Sequence, residues 1–171
     1  VVLAMAYLLG PWEGLWGGVI FGITGMWKAS VVTMQDAYAN ILFSPFRSGK
    51  SMQSVLLCFV PHIVLGLLAG ILYAQVKKSK KWQPLLIAIS TIVVLILHTV
   101  LVFALMQGLF PEAGAVWWTP LLHWHITGMD IEIVSAVAVL LALYFLWQSA
   151  GVKDKITKIR EGVQANKYTK V

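Results

Sequence analysis

Residues 52–76 read MQSVLLCFVPHIVLGLLAGILYAQV, a run without a single Asp, Glu, Lys or Arg. Residues 14–27, 84–106 and 133–152 form three more uncharged runs. An α-helix rises 1.5 Å per residue, so about 20 apolar residues cross a hydrocarbon core of roughly 30 Å. None of the runs alternates apolar and polar residues as a barrel strand would. The sequence therefore predicts an all-α membrane protein.

The composition of the 171-residue chain agrees with this class. Hydrophobic residues make up 59% and charged residues only 12%, whereas soluble domains carry about 25% charged residues. An ordinary water-soluble enzyme is excluded, and so is a disordered chain. The single cysteine, Cys58, excludes an internal disulfide framework and any multi-cysteine metal site.

The basic residues predict the orientation in the membrane. Ten of the 13 Lys and Arg residues lie in segments 77–81 and 153–170, and the positive-inside rule places both in the cytoplasm. The net charge of +6 is therefore a topology signal, and we expect no nucleic-acid partner. We predict a basic cytoplasmic tail over 153–171 and a transmembrane domain over 1–152, with spans near 1–9, 12–27, 52–76, 84–106 and 129–150.

The first nine residues are apolar but amount to only half a span before the Gly10-Pro11 turn. A backbone cannot begin within lipid, because its polar groups would be unsatisfied there. We therefore expect that a first helix precedes this sequence and that the full protein is a six-helix bundle with both ends in the cytoplasm. A cleaved signal peptide is the alternative.

Glycines fall every fourth residue in the first long run, at Gly14, Gly18 and Gly22. Small residues at this spacing form a flat stripe that lets a neighbouring backbone approach closely. The stripe predicts tight helix packing. It is also a candidate docking face for a partner subunit, and the two roles are compatible.

Two histidines lie within the predicted spans, where an ionisable side chain is energetically unfavourable unless it has a role. His62 and His98 both fall roughly 12–15 Å from the outer ends of adjacent antiparallel spans. Asp130 and Glu132 begin the last span at its outer end. We expect these four residues to form an outward-facing polar pocket. Neutral, backbone-bonded histidines and carboxylates at the interface are the alternative.

The predicted outer loops, near 28–51 and 107–128, supply candidate walls for this pocket. Gln35, Asn40 and Trp117 combine amide groups with an aromatic ring, which suits a small flat heterocycle. An interfacial aromatic belt is the alternative. His123 and His125 lack a third His or a Cys to complete a metal site. We expect no metal, no cofactor and, for want of a catalytic motif, no enzymatic activity.

Several motifs in order resemble the S components of energy-coupling factor (ECF) vitamin transporters. They are Leu8-Leu9-Gly10-Pro11, then Gly14-x-x-x-Gly18-x-x-Phe21-Gly22, then Phe43-Ser44-Pro45-Phe46, and finally Val60-Pro61-His62-Ile63-Val64-Leu65-Gly66. The resemblance covers most of the chain to about residue 105 and is weaker beyond it. The helix that we expect to precede this sequence corresponds to the first helix of that family.

The resemblance implies a bacterial plasma-membrane subunit that captures a water-soluble vitamin at the outer face. Such a subunit docks on a transmembrane coupling subunit driven by two cytoplasmic ATPases, and has no enzymatic activity of its own. A stand-alone secondary permease is the alternative class, but permeases usually contain internal repeats, and the sequence shows none.

The nearest pattern is that of the pantothenate branch, whose helix motif reads V-P-R-I and whose next helix carries an Asn. Here His62 replaces the Arg and His98 falls near the Asn position. Arginine is the fitting partner for a carboxylate, so its replacement favours a neutral hydroxymethyl-bearing ring. We expect pyridoxine or hydroxymethylpyrimidine as the substrate, with pantothenate as the alternative.

Overall fold

The computed structural model describes residues 1–31, 41–79 and 81–149, with the side chains of 112–129 outside that description. Within these ranges the chain forms helices and no strand, so the all-α prediction is confirmed. The helices with assigned bounds are α1 (Val2–Leu8), α2 (Pro11–Val31), α3 (Ser51–Val76), α4 (Gln83–Leu109) and α5 (Pro111–Gln148).

Three helical segments are long and apolar enough to cross a membrane: Ser51–Val76, Gln83–Leu109 and Asp130–Gln148. They match three of the predicted spans, and they support a membrane location. The predicted span 12–27 lies within α2, which is not among the three because its glycines and tryptophans contribute little hydropathy. The complete six-helix bundle stays a prediction.

The connection after α4 differs from the expected outer loop over 107–128. The structure continues α4 to Leu109 and begins α5 at Pro111, so only Phe110 separates the two helices. Proline favours the first position of a helix, because its ring fixes φ and its missing N–H would have no partner there. The expected loop is therefore wrong over 107–109 and 111–128, where the backbone is helical.

The predicted Gly-Pro turn joins the short helix α1 to α2. Gly10 has a φ of 129°, a conformation that only glycine adopts readily, and Pro11 then starts α2. At the end of α1 the carbonyl oxygen of Tyr7 accepts a hydrogen bond from the Lys77 ammonium, whose nitrogen lies 4.9 Å from the centroid of the Tyr7 ring. This lysine satisfies one of the carbonyls that a helix end leaves open.

The glycine stripe of α2 packs directly on α3. Gly14, Gly18 and Gly22 are buried, and a Cβ atom at Gly18 would overlap the carbonyl oxygen of His62. The contact is reciprocal, because a Cβ atom at Gly66 would overlap the carbonyl oxygen of Gly14. The prediction of tight helix packing is confirmed. The role of these glycines as a docking face for a partner subunit stays a prediction.

Two apolar clusters lie at different depths of the helices. One cluster, called the outer cluster after the side that the charge rule predicts for it, is formed by Leu42, Leu57, Val102 and Phe110. The inner cluster is formed by Val2, Ala6, Tyr7, Leu65, Ala69, Tyr73, Val76, Ile87, Val94, Leu95 and Leu140. His62 and His98 fall between the two clusters along α3 and α4, so they form a polar layer inside an otherwise apolar core.

Cys58 reports on the outer cluster. Its thiol is buried and donates a hydrogen bond to the carbonyl oxygen of Phe43 at 3.3 Å. We expect the native thiol to react with N-ethylmaleimide at least about 100-fold more slowly than the unfolded thiol, because a buried group reacts only through opening. Leu42→Ala should accelerate the reaction, because Leu42 is a core residue of the outer cluster and its loss should make opening around Cys58 easier.

A thiol at an exposed position is the control for this labelling rate. It is introduced by Phe46→Cys in a chain that also carries Cys58→Ala, since Phe46 is 85% exposed. Stopped-flow labelling in detergent compares the two thiols. Equal native rates at the two positions would show that the segment 41–43 does not cover α3.

Candidate functional site

The two membrane-depth histidines meet between α3 and α4. His62 lies eleven residues after the start of α3 at Ser51, and His98 lies eleven residues before the end of α4 at Leu109. At 1.5 Å per residue both are about 16 Å from those ends. Their ring centroids are 5.0 Å apart, with 55° between the ring planes. The predicted convergence of the two side chains is therefore present in the structure.

The His62 ring is oriented by its own helix. Its Nδ1 donates to the carbonyl oxygen of Cys58, one turn earlier, at 2.7 Å. A carbonyl oxygen only accepts, so this bond places the proton on Nδ1 and leaves a lone pair on Nε2 of the neutral ring. His62 can therefore accept a hydrogen bond from a ligand hydroxyl or amine through Nε2.

Phe21 adds an aromatic face that we did not single out for the site. Its ring centroid lies 4.8 Å from that of His62, and the two planes are 37° apart. A signal for it exists in the sequence, because Phe21 stands between Gly18 and Gly22 and so borders the face of α2 that packs on α3. An aromatic ring at the edge of a close helix contact extends over the partner helix.

A pocket of about 270 Å³ opens next to Phe21, between α1, α2 and α5. Its lining includes Leu3 of α1 and Glu132, Ser135 and Leu140 of α5. Phe21 connects the pocket to the histidine pair, because it lines the pocket and contacts His62.

The structure thus brings two of the predicted site residues, His62 and His98, into contact. Glu132 lies in a pocket whose lining includes Phe21 but neither histidine. Asp130 is exposed at the start of the apolar segment Asp130–Gln148. Gln35 and Asn40 lie outside the described residues, and so do the side chains of Trp117, His123 and His125.

Residues 41–47 are fastened to both α2 and α3. Leu42 packs in the outer cluster, and the hydroxyl groups of Ser44 and Ser30 are hydrogen-bonded at 3.0 Å. Arg47 donates to the carbonyl oxygen of Ser30 at 3.2 Å, near the C-terminal end of α2. These bonds fasten the segment to α2, while the thiol of Cys58 fastens it to α3.

The arrangement is suited to holding a small planar molecule. Aromatic and imidazole faces favour stacking, and the Nε2 lone pair and the carboxylate fix orientation by accepting hydrogen bonds. Comparison with known proteins gives no match to this chain among family models, curated proteins or solved structures. The site geometry and the sequence motifs are therefore the basis for a functional assignment.

Proposed function

We propose that this chain is the substrate-binding S component of an ECF-type importer in a bacterial plasma membrane. The observation that carries the proposal is the contact of His62 with both His98 and Phe21 at membrane depth, beside a pocket that contains Glu132. Ionisable side chains within a membrane span mark a binding or transport path by default. The protein would be multi-pass, with its C-terminus in the cytoplasm.

The proposed substrate is pyridoxine or hydroxymethylpyrimidine. Both are single-ring molecules that donate hydrogen bonds through hydroxyl or amino groups, and a pocket of about 270 Å³ is near the small end of ligand sites. Pantothenate is the alternative substrate. It is less well matched because its carboxylate would lie near Glu132 instead of near a fixed cation such as arginine.

The proposed partners are a transmembrane coupling subunit and two cytoplasmic ATPases. Their role follows from the resemblance, since the sequence contains no complete nucleotide-binding loop of its own. The cluster Lys77, Lys78 and Lys81 precedes α4 on the side that the charge rule assigns to the cytoplasm.

Reconstitution tests the proposed class. Full-length protein is placed in proteoliposomes with and without an ECF module, and uptake of radiolabelled pyridoxine is measured with and without internal ATP. We expect ligand binding in every preparation but uptake only with the module and ATP. ATP-independent uptake by the chain alone would contradict the proposal and favour a secondary permease.

A further inference from the structure

We propose that two aromatic–cation pairs, Trp27-Lys28 and Phe46-Arg47, bind the phosphate group of an anionic membrane phospholipid. This lipid phosphate site lies where α2 ends and α3 begins. The inference does not depend on the vitamin or on the transport class proposed above. It requires only that α3 crosses a membrane, as its length and apolar composition allow.

Each pair places an exposed aromatic ring next to an exposed cation. Trp27 is 67% exposed and Phe46 is 85% exposed. Lys28 and Arg47, which follow them in the sequence, are exposed as well. Aromatic side chains are enriched at the boundary between hydrocarbon and water, and the long side chains of Lys and Arg carry their charge outward from that boundary. Both pairs therefore have the composition of a contact with the membrane interface.

The two pairs lie level with the end of a spanning helix. A Cβ atom at Gly22 would lie 2.9 Å from the carbonyl oxygen of Cys58, and α2 and α3 are antiparallel. Six residues further along α2 therefore correspond to six residues back along α3, so Lys28 lies level with the first turn of α3. That turn begins at Ser51, only four residues after Arg47. The layer of lipid headgroups borders the end of a spanning helix, so both cations are at the level of the lipid phosphates.

Hydrogen bonds hold the two pairs side by side. Arg47 donates from Nη2 to the carbonyl oxygen of Ser30 at 3.2 Å, and the hydroxyl group of Ser30 is hydrogen-bonded to that of Ser44 at 3.0 Å. Ser30 is two residues after Lys28, in the last turn of α2. The loop that carries Arg47 is thus fastened beside the turn that carries Lys28, so one anion can contact both cations.

The two cations have hydrogen-bond donors available for such an anion. A guanidinium group has five N–H donors, and within the described part of the chain Arg47 uses one of them, on Ser30. A cation near the C-terminal end of a helix is favourable by itself, which accounts for that bond but not for an exposed aromatic ring beside each cation. With Lys50, these two are the basic residues outside segments 77–81 and 153–170. The positive-inside rule disfavours cations at this end, so we infer a specific role for them.

The test measures which lipid is enriched at this end of the protein. Val31, the last residue of α2, is 61% exposed. It is replaced by Cys in a full-length chain that also carries Cys58→Ala, and the new thiol is labelled with the fluorophore NBD. The protein is placed in phosphatidylcholine vesicles with a small fraction of nitroxide-labelled phosphatidylglycerol or, in parallel, of phosphatidylcholine with the same nitroxide. Quenching of the fluorophore reports the lipid beside Val31.

We expect phosphatidylglycerol to be enriched about 25-fold over phosphatidylcholine at this position, since each Lys or Arg near the surface contributes about fivefold. In phosphatidylcholine the choline ammonium offsets the phosphate charge, so the two lipids differ in the interaction that the cations provide.

Lys28→Gln combined with Arg47→Gln should lower the enrichment to below about threefold, because both cations are removed. Lys78→Gln combined with Lys81→Gln is the matched control. These two exposed lysines lie between α3 and α4, at the other end of α3, and their replacement removes the same charge. It should leave the enrichment beside Val31 unchanged. Thermal denaturation reports folding, and the labelled chain with both cations tests the proposal even where a variant fails to fold.

Three results would overturn the lipid phosphate site, and none of them affects the S-component proposal. The first is equal quenching by the two lipids in the folded labelled chain. The second is an equal loss of enrichment in both double variants, since net charge would then account for it. The third is loss of the enrichment on addition of inorganic phosphate but not of chloride at the same ionic strength, which would show a site for free phosphate instead of a lipid headgroup.

Discussion

Gly18→Ala is expected to separate α2 from α3 and to lower the stability of the protein by about 3 kcal/mol or more, at the upper end of the range for overpacking. The new methyl group would overlap the carbonyl oxygen and carbon of His62. Both are backbone atoms, so no side-chain rotation relieves the clash and the helices must move apart. Thermal denaturation in detergent, followed by tryptophan fluorescence, measures the loss.

The chain offers a matched control on the same helix. A Cβ atom at Gly25 would have nothing within 4 Å, so Gly25→Ala adds the same methyl group without a clash. We expect it to leave the stability unchanged or to raise it by up to about 1 kcal/mol, the difference in helix propensity between glycine and alanine. Equal effects of the two substitutions would contradict the packing of α2 on α3.

His62→Asn is expected to weaken ligand binding by about 100-fold while keeping the fold, because the ligand's donor loses its buried acceptor. The Asn amide occupies nearly the place of Nδ1 and can still donate to the carbonyl oxygen of Cys58, 2.7 Å from Nδ1 in the wild type. It has no atom near the position of Nε2. His98→Leu should also weaken binding, because it removes the polar ring that contacts His62.

His62→Gln separates a binding role from a structural one. The Gln amide reaches the position of Nε2 but gives up the bond to Cys58, so we expect it to retain more affinity than His62→Asn and less thermal stability. If His62 serves only to donate a hydrogen bond to the Cys58 carbonyl, the order of affinities should be reversed. His62→Asn, which keeps that bond, would then bind the ligand as the wild type does, and His62→Gln would bind it more weakly. Titration with pyridoxine and thermal denaturation of the same samples measure both properties.

The sequence was informative about position along each helix. The uncharged runs located the three apolar segments, and the glycine spacing predicted the face of α2 that packs on α3. The distances of His62 and His98 from the ends of their uncharged runs predicted that the two lie at one depth. These features depend on counting residues at a fixed rise of 1.5 Å. Counting does not supply the rotation of one helix against another. The contact of Phe21 with His62 depends on that rotation, and so was not predicted.

The connections between helices were less predictable for a different reason. Residues 111–128 carry mixed polar and aromatic side chains that suit either an interfacial loop or a helix, and Pro111 starts a helix there. The segment 41–43 is too short to show a helical spacing of apolar residues. Its position is determined by the packing of Leu42 in the outer cluster and by the hydrogen bond between Phe43 and Cys58. Such long-range contacts leave no local pattern.

The central claim is that the histidine pair binds a single-ring vitamin. It is tested most directly by titrating purified full-length protein with pyridoxine, hydroxymethylpyrimidine and pantothenate, one at a time, while recording the quenching of tryptophan fluorescence. We predict saturable nanomolar binding of pyridoxine or hydroxymethylpyrimidine that His62→Asn removes. Tight binding of pantothenate alone would contradict the ligand assignment, and no saturable binding of any of the three would contradict the claim itself.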